Sequence, residues 1–436
     1  MDLLSIETPT KVELANGLTI ILKEIHSNPI VSFWTWYRVG MRNEKPGYTG
    51  ISHWVEHMQF KGTGKFSANQ MDRVISREGG VFNAYTSLDW TSYFATMPAN
   101  KIDIALEIEA DRMTNSLFDP SEVESERGVI IAEKEGKENE PFLRLDAAVN
   151  FASFIHHPYR NEIVGRLEDL NSLQRDDLYQ YYQTYYQPSN ALITIAGDFE
   201  TKKMIKKLGD LFSIPTQPKP EISFIKPEYS INGLKEINMS GPGEVIFIQI
   251  LYRAPGASDP DFFAYTILDS LLSGPASINM FGVGGISNKT SMLYRKLVDK
   301  RLAVSVGGGL QATIDPYNYE ISLTLHAAQN PDEAIKTVSH QIEQLIERKI
   351  KRKDLERAVK QAKALFAYGM ENITNQAFWL GASEMFADYS WYTHYLMRLN
   401  EITPSDIQKV AEKYLRPDQR VIGIYLPEEN RSVQTE

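Results

Sequence analysis

The chain has 436 residues, a net charge of -10, 42% hydrophobic and 23% charged residues, and no cysteine. That length predicts two or more domains and a core large enough to need no cross-links. The acidic balance excludes a nucleic-acid footprint, and the missing cysteines exclude disulfides and thiolate metal sites, so any metal ligands must be His, Asp or Glu.

Residues 11–22 are two apolar runs around Asn16-Gly17, a hairpin signal. Residues 31–39 alternate and are aromatic, which predicts a strand. Residues 47–60 and 68–77 read as helices, 80–98 as two strands, and 103–117 as a helix. Asp119 is placed to cap the next helix, with Pro120 at its first position and Glu122 three residues after the cap. This helix should run through Glu126 and Glu133 to about Glu138. Residues 176–186 form a helix stopped by Pro188, and 191–196 a strand. Pro215, Pro218, Pro220 and Pro227 fall in a polar stretch that reads as an interdomain linker, 215–232, between units 1–214 and 233–436. Strands resume at 235–239 and 245–252. The halves share a pattern: Asp177-Leu178, Tyr185-Tyr186, Pro188 and an apolar strand in one, and Asp406-Ile407, Tyr414-Leu415, Pro417 and an apolar strand in the other. Equal Asp-to-Pro spacing points to a diverged repeat, with coincidence between two common helix–Pro–strand patterns as the plain alternative. No run reaches the roughly 18 apolar residues of a membrane span. A cysteine-free soluble chain suits the cytoplasm or a bacterial periplasm equally.

The strongest chemical signal is His53-Trp54-Val55-Glu56-His57. On a helix, positions i and i+4 project from one face, so two imidazoles can grip one metal ion while the Glu56 carboxylate borders the same site. Imidazole suits zinc, and a catalytic zinc takes three protein ligands and leaves a place for water. Glu56 would then take a proton from that water and deliver it to a leaving amine. The alternative is a helix with two exposed or capping histidines. A third ligand is expected from the helix begun at Asp119, which offers Glu124, Glu126, Glu133, Glu135 and Glu138. Glu126 and Glu133 are seven apart and share a face. Glu133 follows Val129-Ile130-Ile131-Ala132, which predicts that it starts from a buried wall, where a carboxylate needs a partner or a metal. Glu126 could brace a ligating histidine through a hydrogen bond. Glu135 and Glu138 read as surface.

The motif continues through Phe60-Lys61-Gly62-Thr63, Asn83-Ala84-Tyr85-Thr86-Ser87, Thr91-Ser92-Tyr93, Ala110-Asp111-Arg112, Glu126-Arg127, Val129-Ile130, His157-Pro158-Tyr159 and Tyr185-Tyr186-Gln187-Pro188. In these residues the chain resembles the family of pitrilysin, insulin-degrading enzyme and mitochondrial processing peptidase. The spacing from His57 to Glu133 matches that family's ligand spacing. The likeness covers the whole first half with specific motifs and the second half more loosely. It implies an α+β fold of two similar domains, each an antiparallel sheet packed with helices. It further implies a zinc-dependent endopeptidase with one Zn2+ on His53, His57 and Glu133, Glu56 as general base and Glu126 bracing a ligand. Peptide substrate would lie as an added strand on an edge at Asn83 and Ala84; Asn83 is also readable as a turn residue between strands. The alternative is a non-catalytic structural or peptide-binding subunit of the same fold. Such core subunits typically lose zinc ligands, and this chain retains all four key residues.

Family members also place an Arg and a Tyr in the second half that help hold the substrate. Over residues 293–306 the matching positions are Val298 and Val304, and valine supplies neither charge nor hydroxyl. The resemblance thus implies a heterodimer with a related chain that carries the Arg/Tyr pair, with a homodimer as the alternative. Residues 274–285 are glycine-rich without a phosphate-loop pattern, and read as a loop. His26, His156, His157, His326, His340 and His394 read as structural, so one metal per chain is expected.

Overall fold

The computed structural model describes residues 8–221, 224–275, 288–348 and 350–428. Most of the 274–285 loop therefore lies outside the described residues. Alternating β-branched and aromatic residues build a first sheet from β1 (Thr10–Glu13), β2 (Thr19–Glu24), β3 (Ile30–Tyr37), β4 (Val81–Thr86), β5 (Thr91–Pro98) and β6 (Ala191–Gly197). A second sheet holds β7 (Lys235–Gly241), β8 (Val245–Ala254), β9 (Ser305–Leu310), β10 (Tyr317–His326) and β11 (Arg420–Pro427). Their orders are β1-β2-β6-β3-β5-β4 and β7-β11-β8-β10-β9.

The second order repeats the first strand for strand once β1 is set aside, so the expected α+β repeat of two sheet-and-helix domains is present. The sheets are mixed rather than wholly antiparallel: β2–β6 and β7–β11 run parallel. Parallel neighbours need long crossovers, and the many residues between β2 and β6, and between β7 and β11, supply them. The helices Arg175–Tyr185 and Pro404–Tyr414 lead into β6 and β11, which accounts for the shared Asp-to-Pro spacing.

β3 shows how the halves join. Val31, Phe33 and Tyr37 pack into the first half's own helices, whereas Trp34 and Trp36 face the other way into a core shared with Ile248, Ile250 and Tyr252 of β8. Each half also lends a helix to the other's sheet. Pro141–Ser153 sets Leu145 and Val149 against Leu251, Val421 and Tyr425. In return, Ile373–Phe386 covers β3 and β6; Thr194 Oγ1 donates to the Ala377 carbonyl at 2.8 Å, and Gly381 abuts the Trp36 indole. Among the described residues no helix is long and apolar enough to cross a membrane.

Candidate metal centre

The helix Ile51–Met58 begins at Gly50, whose φ of 86° is left-handed and where a Cβ would collide with the Val164 carbonyl. Glycine alone fits there. The opening N–H groups are taken by Glu44, which accepts from Gly50 at 2.9 Å and from Ser52 at 3.0 Å. A buried carboxylate at a helix N-terminus fixes where this helix starts, and so where its side chains point. Trp54, Val55 and Met58 anchor it in the core.

His53 and His57, one turn apart, bring their Nε2 atoms to 3.2 Å, with ring centroids 4.5 Å apart at 67°. Glu133 Oε2 lies 3.7 Å from His53 Nε2 and 4.0 Å from His57 Nε2. These three side chains form the one group among the described residues able to hold a metal ion, with ligand atoms within 4.8 Å of one another. Tetrahedral zinc, with bonds near 2 Å, asks for ligand atoms roughly 3.3 Å apart. The observed triangle is of that size, slightly wide on the Glu133 side, and its N2O donor set is the kind zinc takes.

Glu133 and Glu126 come from one helix, Pro120–Glu138, whose Asp119 cap accepts from Ser121 N–H at 2.8 Å and whose Pro120 opens it as predicted. Glu126 is buried, with Oε1 2.8 Å from His57 Nδ1 and an ion pair to Lys61. This bond places the His57 proton on Nδ1 and leaves the Nε2 lone pair toward Glu133. Glu133 does not rise from a buried wall, however. Its side chain is 35% exposed and Val129 is half exposed, while Ile130 alone of that run is fully buried. At about 3.6 residues per turn, four consecutive residues cannot share a face. What offsets the Glu133 charge is Lys137, 2.8 Å from Oε1, together with the two imidazoles.

Glu56 is buried beside this group, and Thr86 Oγ1 donates to its Oε2 at 2.6 Å. Burial pushes the Glu56 carboxyl up from its ordinary range, partly opposed by the Thr86 bond. The His53 ring is pushed down to about 4 by burial and by the neighbouring His57, which favours the neutral, ligating form. Burial also acts to lower His57, but the Glu126 hydrogen bond and the surrounding carboxylates outweigh it and leave that ring raised. For Glu133, burial is outweighed by the Lys137 hydrogen bond and the imidazoles, which hold it low. Thr86, Lys61 and Glu44 were not singled out in the sequence. Thr86 and Lys61 stand inside the family-like motifs, whereas Glu44 carries no local signal.

Asn83 and Ala84 lie on β4, which ends its sheet and so offers a free edge. Asn83 is an exposed strand residue, not a turn, and its Oδ1 accepts the Ala84 N–H at 2.8 Å. Val298 packs against the shared core, and Val304 is exposed. Outside the metal centre, His157 is buried against Asp315 at 3.0 Å, and His26 bridges Asp198 and Glu24 at 2.6 and 2.9 Å. Both serve as structural links.

Known proteins resemble this chain along most of its length. Residues 19–166 match the family model described as "Insulinase (Peptidase family M16)", and 172–362 the one described as "Peptidase M16 inactive domain". The zinc protease PqqE of Helicobacter pylori is 25% identical over 424 residues, covering 94% of this chain and 90% of that protein. A mitochondrial-processing peptidase subunit beta of Lentinula edodes is 27% identical over 264 residues, covering 59% and 56%. Among solved structures, a protease from Helicobacter pylori superposes with a TM-score of 0.89 at 24% identity, over 96% of this chain and 99% of that one. The periplasmic protease PqqL of Escherichia coli gives 0.77 at 19% identity, with 96% of this chain spanning 48% of that one.

Proposed function

Because this chain belongs to peptidase family M16, we propose that it is a zinc-dependent endopeptidase, alone or as a subunit, acting on peptides or unfolded segments. The observation that carries this reading is the convergence of His53, His57 and Glu133 beside a buried Glu56. The two Nε2 atoms and a Glu133 oxygen would hold zinc, which when bound supplies Lewis acidity toward water and toward a peptide carbonyl. Glu126 keeps the His57 ring turned toward the site. Thr86 engages one Glu56 oxygen and leaves the other to take a proton from the attacking water and pass it to the departing amine. Burial of Glu56 brings its proton affinity closer to that of a base working near neutrality. The peptide backbone would pair with the β4 edge at Ala84, with the Asn83 side chain leaving the Ala84 N–H to make room.

Within the chain we assign catalysis to 1–214 and support to 233–436, with 215–232 as the connection. We further propose a heterodimer with a related chain, because Val298 and Val304 stand where family members carry the Arg and Tyr that hold substrate. Full peptidase rate from this chain alone, unchanged by any related chain, would remove the heterodimer and leave a homodimer or monomer. The decisive experiment for the chemistry is Glu56→Gln with zinc analysis and a quenched peptide. Zinc content should persist while turnover falls by about 10²–10⁴-fold. Loss of zinc in that variant, or unchanged turnover, contradicts the role given to Glu56. Wild-type protein that holds zinc and cleaves no peptide would select a non-catalytic or peptide-binding subunit; the "inactive domain" description spans 172–362 and leaves the residues of the metal centre outside it.

A further inference from the structure

The helix Pro120–Glu138 carries Glu133 and, one turn further along the same face, Lys137, whose Nζ lies 2.8 Å from Glu133 Oε1. Lys137 also lines a groove of about 610 Å³. The groove continues between Arg144 and Phe151 of the helix Pro141–Ser153 and the segment holding Arg160 and Arg166. The metal triad thus stands between two features: the β4 edge, met through Glu56 and Thr86, and this groove, met through Lys137. Four cations line the groove in a chain whose net charge is -10. Its carboxylates, Glu138 and Glu162, are both claimed by the buried Lys134. The nearby Glu228 accepts instead from the N–H groups of Ile155, His156 and His157. Arg144, Arg160 and Arg166 take part in no ion pair among the described residues. Two of these guanidiniums crowd one half-exposed ring: Arg160 lies 3.8 Å and Arg166 5.1 Å from the Phe151 centroid. The Arg160 Nε–H is buried without an acceptor among the described residues. Like charges gathered without a counter-charge cost free energy until an anion joins them.

We infer that this groove receives acidic side chains of the peptide substrate, on one side of the scissile bond and about two or more residues from it. The inference rests on the peptidase reading above. One helical turn is about 5.4 Å and an extended chain advances about 3.3 Å per residue. A peptide crossing from the metal toward Lys137 therefore reaches the groove after roughly two residues. Guanidinium forks match a carboxylate through two parallel hydrogen bonds, which an ammonium cannot do. Stacking on Phe151 already restrains two of them, so less freedom is lost when a carboxylate arrives.

The test uses the full chain and quenched peptides that differ only by Ala or Glu at each position from the second to the fifth on either side of the cleaved bond. The wild-type protein should favour Glu over Ala on one side by about tenfold or more in kcat/KM, carried by KM. Arg144→Glu and Arg166→Glu, both at exposed positions, should each bring that ratio to one or below. Added salt should shrink it. Zinc content and thermal unfolding report whether each variant is folded. A wild-type ratio near one, or a ratio untouched by salt and by both variants, overturns the inference. Arginine-dependent binding of inorganic phosphate by a protein whose ratio is near one gives the groove to a free anion instead. If no peptide is cleaved, the peptidase reading fails separately. The same Glu-to-Ala ratio is then read as binding affinity in Glu56→Gln protein, where equal affinities sink the subsite.

Discussion

In the first half, the connection from β3 to β4 carries the helix Ile51–Met58, which presents His53, Glu56 and His57, and the adjoining edge strand adds Thr86 to the base. In the second half, the connection from β8 to β9 carries Phe262–Leu272, buried at every position but Thr266. Its single carboxylate, Asp269, accepts from Tyr319 at 2.7 Å and from Ser273, inside the core. The adjoining edge strand there supplies Gly308, packed so closely on Ser273 and Asp269 that a Cβ would collide with them. One topology thus serves two ends. The polar helix presents imidazoles and a carboxylate at that corner, and the apolar helix turns its one carboxylate to Tyr319 and Ser273 in the interior.

The sharpest way to break this contrast is to remove a ligand. His53→Ala or Glu133→Ala should abolish stoichiometric zinc and lower peptide turnover by about 10³-fold or more; zinc retained in both variants would dissolve the distinction between the corners. Asp269 tests the other corner. Burial raises its carboxyl from 3.8 to about 6, against the bonds from Ser273 and Tyr319. The folded chain therefore keeps a proton that the unfolded chain has released, so this group's contribution to stability is greatest below 3.8 and falls as pH rises to about 6. The loss is up to about 3 kcal/mol. Asp269→Asn should flatten that slope in denaturation measured across this window while leaving zinc content unchanged. Next in size, Glu126→Ala should weaken zinc affinity about 10–100-fold through loss of the His57 brace, read by competition with a chelator. The smallest effects should be equal in the two halves. Asp119 and Asn330 each cap a helix that opens with proline, accepting from N–H groups at 2.8 and 2.9 Å. Replacing either by Ala should cost about 1 kcal/mol in thermal unfolding. A much larger loss at Asp119 would mean that its helix is held mainly by its cap and not by its packing.

Local rules made most of the centre legible. The i,i+4 histidines, the seven-residue interval between Glu126 and Glu133, and the Asp119-Pro120 start all depend on short-range helix geometry, and each stands where the sequence puts it. The repeat was legible for a similar reason, since helix, proline and strand are adjacent in the chain. What could not be read were pairings between distant segments. The parallel partners of β6 and β11 sit more than 150 residues away in sequence. Thr86 binds Glu56 across 30 residues, and Glu44 caps a helix it does not belong to. The exposure of Glu133 was misread because four apolar neighbours look like a wall in one dimension and are spread around a cylinder in three.

The exchange of the helices Pro141–Ser153 and Ile373–Phe386 between sheets bears on how the molecule comes into being. Leu145 and Val149 find their cover on strands made later in the chain, and Trp36 finds its own on a helix made later still. The first half cannot finish its interior until the second has been made. A nick in the stretch joining them should therefore yield fragments that are sticky apart, yet able to re-form the native particle when mixed.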